Sequence, residues 1–161
     1  MLCHGRLPTK DRLISWGMDM DKGCVLCDKE ESASHLFFYC GFSREMWRKI
    51  LLHIKDHRAP GKWEEELQLA LRRYKGKSFQ NKLRRLGLYC VIYEVWRERN
   101  SRIFGNINRD IEQIVNSCIC TIRHRVCIWK VPRNKLNWNI CVEWGFLWIF
   151  WYRLFSFGVP L

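Results

Sequence analysis

The sequence predicts a mainly α fold: a small module tied by three cysteines and a histidine, followed by an α-helical hairpin. Three observations lead there. Four metal-ligand side chains fall within residues 24–40; apolar residues recur at helical spacing over 79–104 and again over 111–126; and only a short Gly-Asn link separates those two patterns. Hydrophobic residues are 48% of the 161, enough for one modest core or for a small module followed by a helical unit.

In chain order, Thr9 can cap a short helix after Pro8, with Leu13, Ile14 and Trp16 as its apolar side and Gly17 as its stop. Residues 18–23 are a turn-like approach to Cys24, and Ser32 to Tyr39 reads as a short helix carrying His35. A new helix opens at Ser43, with Met46, Trp47, Ile50, Leu51 and Ile54 at helical spacing. Residues 55–62 are a loop by their Pro60-Gly61 pair and their charge, and an amphipathic segment follows from Trp63 to about Tyr74. Phe79, Leu83, Leu86, Cys90, Tyr93 and Trp96 form the stripe of a long helix interrupted only by Gly87. Asn108 is placed as the next N-cap, with Asp110 and Glu112 in the first turn, where the helix dipole favours negative charge. Ile111, Ile114, Val115, Cys118, Ile119, Ile122 and Val126 then give the cleanest helical pattern, and the two long helices should pack antiparallel. Residues 131–161 read as a Trp-rich apolar tail; from Trp144 onward it is long enough for a membrane span, but Arg153 within it would cost roughly 3 kcal/mol on insertion scales, so a crossing is not expected.

The chemistry concentrates in Cys24-Val25-Leu26-Cys27, His35 and Cys40. A Cys-x-x-Cys turn holds two thiolates about a metal radius apart, and a following helix can return a histidine and a cysteine to complete the tetrahedron that zinc prefers. Four protein ligands leave no position for an activated water, so the single zinc expected here is structural. The competing reading, buried small cysteines beside a surface histidine, is disfavoured by four ligand types in 17 positions. Cys3 and His4 are further ligand candidates, His53 and His57 read as a solvated helix end, and Cys118 lies on an apolar stripe and reads as core. There is no Gly-rich phosphate loop, no Gly-x-Ser-x-Gly and no carboxylate cluster, since after Glu98 only Asp110, Glu112 and Glu143 remain as acids; no enzyme is expected. The nine cysteines follow a start without the apolar run of a secretory leader, which points to the cell interior, cytoplasm or nucleus, with thiols reduced and closely spaced Cys and His available as ligands.

The net charge of +12 is uneven. Arg72, Arg73, Lys75, Lys77, Lys82, Arg84, Arg85, Arg97, Arg99 and Arg102 face only Glu94 and Glu98 in their stretch, and Arg123, Arg125, Lys130, Arg133 and Lys135 form a second run without an acid. Such fields favour polyanions through counterion release; the other reading is a solvated helix face.

Taken together, Gly5-Arg6-Leu7-Pro8-Thr9-Lys10-Asp11-Arg12-Leu13, Cys24-Val25-Leu26-Cys27, Ser34-His35-Leu36-Phe37-Phe38-Tyr39-Cys40 and Met46-Trp47 resemble, over about residues 4–50, the zinc-binding domain of reverse transcriptases of plant non-LTR (LINE-like) retrotransposons. Val95-Trp96-Arg97-Glu98-Arg99-Asn100-Ser101-Arg102-Ile103-Phe104 also resembles the helical element that follows this domain in such proteins. The resemblance implies a zinc-binding domain over 1–54, a loop over 55–62, a basic helical region over 63–130 and the tail over 131–161, with Cys24, Cys27, His35 and Cys40 as ligands. It implies a nucleic-acid partner, RNA or DNA, for a non-catalytic module; the ten basic residues are the expected contacts, and Trp96 and Phe104 beside Arg97, Arg99 and Arg102 are candidates to stack on unpaired bases, with core packing as the other reading and the favoured one for Trp96 on its apolar stripe. The alternatives are a structural or protein-interaction module docking on the reverse transcriptase to which it would normally be joined, or a remnant without function. The family's aromatic-rich segment upstream of Gly5 is missing, as are polymerase, endonuclease and ribonuclease H sequences, so the expectation is a truncated fragment of a decayed element.

Overall fold

A computed structural model describes residues 7–105 and 107–146. The candidate ligands Cys3 and His4, the Gly5-Arg6 start of the resemblance, Asn106 of the interhelical link and the tail beyond Phe146 lie outside the described residues. Six α-helices follow in order: α1 Lys10–Ser15, α2 Gly41–His53, α3 Trp63–Gln68, α4 Phe79–Phe104, α5 Ile111–Cys127 and α6 Lys135–Glu143. Two π-helical turns, His35–Tyr39 and Leu69–Arg73, lead into α2 and out of α3. The mainly helical fold is as the sequence predicts; among the described residues the only β pairing is an isolated antiparallel bridge between Gly23 and Glu30.

α2, α4 and α5 share one core. Trp47 and Ile50 from α2, Leu83, Val91 and Val95 from α4, and Ile114, Cys118 and Ile122 from α5 are almost completely buried in it. The glycine that interrupts the α4 stripe has a packing reason: a Cβ on Gly87 would meet the Ile50 Cγ2 at 3.2 Å, so α2 and α4 approach more closely there than alanine would comfortably allow. α4 and α5 run antiparallel, as the register of their polar contacts shows: Glu98 accepts from Arg109 at 2.9 Å, and Glu94 from Ser117 at 3.2 Å.

Several local expectations are corrected. α2 begins at Gly41, two residues before Ser43, because the buried Ser43 hydroxyl donates to the Leu36 carbonyl at 2.6 Å and Cys40 takes the N-cap position. The N-cap of α5 is Asp110, not Asn108. Asp110 Oδ1 accepts from the Gln113 N–H at 2.8 Å while Gln113 Oε1 accepts from the Asp110 N–H at 3.1 Å, a reciprocal pair that Asn108, with apolar Ile111 three residues on, has no partner to make. Part of the stretch read as tail is α6, opened by Asn134, whose side chain accepts from the Asn137 N–H at 2.9 Å, and anchored by buried Ile140 and Cys141. On α4, Tyr93 is 53% exposed, whereas Glu94 and Glu98 turn inward, because α5 and its lead-in bring Arg109 to meet them. Among the described residues no helix is long and apolar enough to cross a membrane.

Candidate metal centre

The first two ligands sit on a tight turn inside a minimal hairpin. The Cys24 N–H donates to the Lys29 carbonyl at 2.6 Å, the Glu31 N–H to the Lys22 carbonyl at 2.8 Å, and Asp28, at φ 63°, turns the chain through the left-handed region that a short polar residue tolerates. The other two ligands frame the first π-helical turn. His35 and Cys40 are five apart, which on a regular α-helix would set them about 140° apart around the axis. The widened turn, closed by the Cys40 N–H donating to the His35 carbonyl at 2.7 Å, brings them to one side. The Ser32 hydroxyl accepts from the His35 N–H at 3.1 Å and fixes where the histidine enters.

The result is a closed cluster. One ligand atom from each of Cys24, Cys27, His35 and Cys40 lies within 4.8 Å of every other, and Cys27 Sγ is 3.0 Å from His35 Nε2. Tetrahedral zinc with bonds of about 2.0–2.3 Å sets its ligand atoms roughly 3.5–3.8 Å apart, so the arrangement matches in number and chemistry, and its atoms are close enough for one ion to be held by small side-chain adjustments. Cys24 and Cys40 are buried, Cys27 and His35 half-buried. Backbone N–H groups bond each sulfur: Leu26 to Cys24, Lys29 to Cys27, and Phe42 and Ser43 to Cys40. Those donors favour thiolate, the form that binds metal. A hydrogen bond from Cys24 and the N–H groups opening α2 hold the Cys40 thiol down to about 5. Its partner moves the opposite way: hydrogen bonding with Cys40, and then burial, push Cys24 up. Zinc at this site would tie the hairpin to the entry of α2.

Around the ligands lies a set of buried ions that sequence reasoning missed. Glu31 accepts from the Lys10 N–H at 2.8 Å and from Arg99 Nη2 at 2.9 Å, linking α1, the hairpin and α4. Lys10 Nζ reaches the Gly23 carbonyl at 2.5 Å and Asp21 at 3.0 Å. Arg102 donates to Glu98 at 2.9 Å and to the Val25 carbonyl at 3.3 Å, with its guanidinium 4.9 Å from the centre of the Phe42 ring. No periodicity marks Glu31 for burial; its partner is 68 residues away in sequence.

The ten basic candidates divide accordingly. Arg72, Arg73, Lys75, Lys77 and Lys82 are exposed and make no ion pair among the described residues. Arg97 is exposed and pairs with Glu94 at 3.2 Å. Arg84 lies 3.5 Å from Asp56, Arg85 donates to the carbonyls of Tyr74 and Gly76, Arg99 is buried against Glu31, and Arg102 is held by Glu98. Trp96 is half-buried, with Arg99 5.0 Å from its ring centre, and Phe104 is 80% exposed. Cys118 is buried in the core, and His53 and His57 are exposed.

A family model described as zinc-binding in reverse transcriptase matches residues 1–47. That span holds all four ligands and ends within α2, so α3 to α6 lie outside it. No curated protein and no solved structure matches the chain. Donor set, spacing and matched family agree on zinc as the ion for this centre.

Proposed function

We propose that the chain is a non-catalytic, zinc-stabilised module that helps a reverse transcriptase of a plant LINE-like element hold nucleic acid. The zinc-binding role follows the family matched at residues 1–47; the saturated four-ligand set supports a structural ion. The observation that supports a nucleic-acid partner is the group of exposed cations that make no ion pair among the described residues, Arg72, Arg73, Lys75, Lys77 and Lys82, which run from the second π-helical turn through the connecting loop to the start of α4. Exposed cations without acid partners are free to displace the counterions of a phosphate chain.

The test is a titration of the zinc-loaded protein with labelled RNA and DNA across salt concentrations. Binding should weaken linearly in log–log form, and Arg72→Gln/Arg73→Gln/Lys75→Gln should lower the slope by about 2 to 3. No binding at low salt, or binding indifferent to salt, overturns the reading. Docking on the polymerase has one observation in its favour, an apolar groove between α3 and α4 lined by Leu67, Leu71 and Leu88; co-purification with the polymerase that survives the charge substitutions would support it.

A further inference from the structure

We propose that the outer face of α4 is a stacking platform for a single strand, and that Tyr89, Tyr93 and Phe104 take the bases. The inference rests on the nucleic-acid reading above and adds where, and in what form, the strand binds.

Positions 82, 89, 93, 97 and 104 fall within about 80° of one another on a helix of 3.6 residues per turn, so they form one stripe along roughly 33 Å of α4, with Trp96 at its edge. The stripe is open. Tyr89, Tyr93 and Phe104 are 63%, 53% and 80% exposed, unusual for large aromatic residues on a helix whose opposite face is core. The Tyr89 and Tyr93 rings lie nearly parallel, 15° between planes with centres 6.5 Å apart, and so present flat faces in series. A groove of about 480 Å³ follows the stripe from Tyr93 to Phe104, and the apolar groove between α3 and α4, about 520 Å³, meets it at Tyr93 and Trp96. Asn100 and Ser101 line the groove along the stripe with groups able to bond a base edge.

Charge complementarity selects the occupant. The only acids of α4, Glu94 and Glu98, are buried and paired on the inner side, so the solvent face of the helix carries no negative charge. Exposed Lys82 stands within the stripe, as does Arg97, which also reaches the buried Glu94 at 3.2 Å, and the unpaired Arg72, Arg73, Lys75 and Lys77 continue the positive field beyond its N-terminal end. Aromatics and arginine suit a protein interface too, but here they stand in a positive field with no exposed acid on the helix, which suits a phosphate chain with free base faces. A duplex hides those faces, which is why the platform selects single strands. Arg99 and Arg102 take no part, since Glu31 and Glu98 hold them inside.

The experiment compares the zinc-loaded protein with Tyr89→Ala/Tyr93→Ala by fluorescence anisotropy, using single-stranded oligouridylate of about twelve nucleotides and a duplex of the same length. The expected result is a loss of about tenfold or more in single-strand affinity, with duplex affinity and salt slope unchanged. A helical circular-dichroism spectrum and melting temperature equal to the wild type's check the variant's fold; should it fail to fold, Phe104→Ala at the far end of the stripe carries the same test. Wild-type affinity of the variant for the single strand overturns the platform while leaving the nucleic-acid reading in place. Absence of binding to either probe by the wild type at low salt overturns both. Self-association of the wild type that the double substitution abolishes, with strand affinity intact, assigns the face to a second copy and overturns the platform.

Discussion

Glu31 sits in the zinc hairpin with its carboxylate sealed from solvent, taking the Lys10 N–H on one side and the Arg99 guanidinium on the other. Two buried ions in contact contribute little net stability, because their attraction is offset by the water both have lost. Removing one is different, since it strands the other charge in the interior. Glu31→Gln should therefore lower the free energy of unfolding by about 3 kcal/mol in a urea titration, whereas Glu31→Leu/Arg99→Met should recover much of it. A single substitution costing under about 1 kcal/mol would show that water reaches Arg99. Glu98 makes the complementary case for pH. Burial pushes its carboxyl up, but the Arg109 N–H and the guanidinia of Arg102 and Arg109 outweigh that and hold it below the usual glutamate value. A depressed carboxyl stabilises the fold above its unfolded value and loses that contribution as pH falls, so its share of acid destabilisation belongs below about pH 4.5.

At the scale of elements, local signals set helix boundaries only where the chain offers a matched pair. Asp110 and Gln113 are such a pair and begin α5; Asn108 lacks a counterpart three residues on. Asp110→Ala should cost about 1 kcal/mol in thermal or urea unfolding, and Asn108→Ala should stay within about 0.5 kcal/mol. Equal losses from the two would return the cap to Asn108. Helix ends follow the same logic. Gly17 (φ 90°) and Gly145 (φ 69°) close α1 and α6 in the left-handed conformation, and the N–H groups of Met18 and Phe146 then reach back to the carbonyls of Leu13 and Cys141. Lys55, at φ 56°, ends α2 the same way without being glycine. Gly17 is legible in advance as a stop, whereas Lys55 carries no sign of its conformation. The π-helical turn at His35–Tyr39 was not legible either: its residues read as ordinary helix, and the extra residue per turn is apparent only once Cys40 must join His35 at one centre.

For the molecule as a whole, the zinc centre and the helical core are joined through one buried cluster that includes Cys24 and Cys40. Leu36, Phe37 and Phe38 enter the core from the π-helical turn between two ligands, and Arg99 and Arg102 grip the hairpin from α4. The α4–α5 packing itself uses no ligand. Chelation at neutral pH should thus strip hydrogen-exchange protection from residues 24–40 and lower the melting temperature, while amides of α4 and α5 facing Val91 and Ile122 stay protected. Global loss of protection on chelation would make the metal a condition of the entire fold. Acid should release the ion as well, because each ligand binds only when deprotonated. By itself the sequence determined the helical class, the antiparallel pair and the four ligands of one zinc ion, because periodic burial and ligand chemistry are written in spacing over a few turns. Only the tertiary structure decided which charges are spent inside and which remain outside. Spacing shows that Arg99 and Lys82 are both basic, but Glu31 meets Arg99 across 68 residues of chain while nothing among the described residues meets Lys82; that distinction arises from how elements distant in sequence exclude water together.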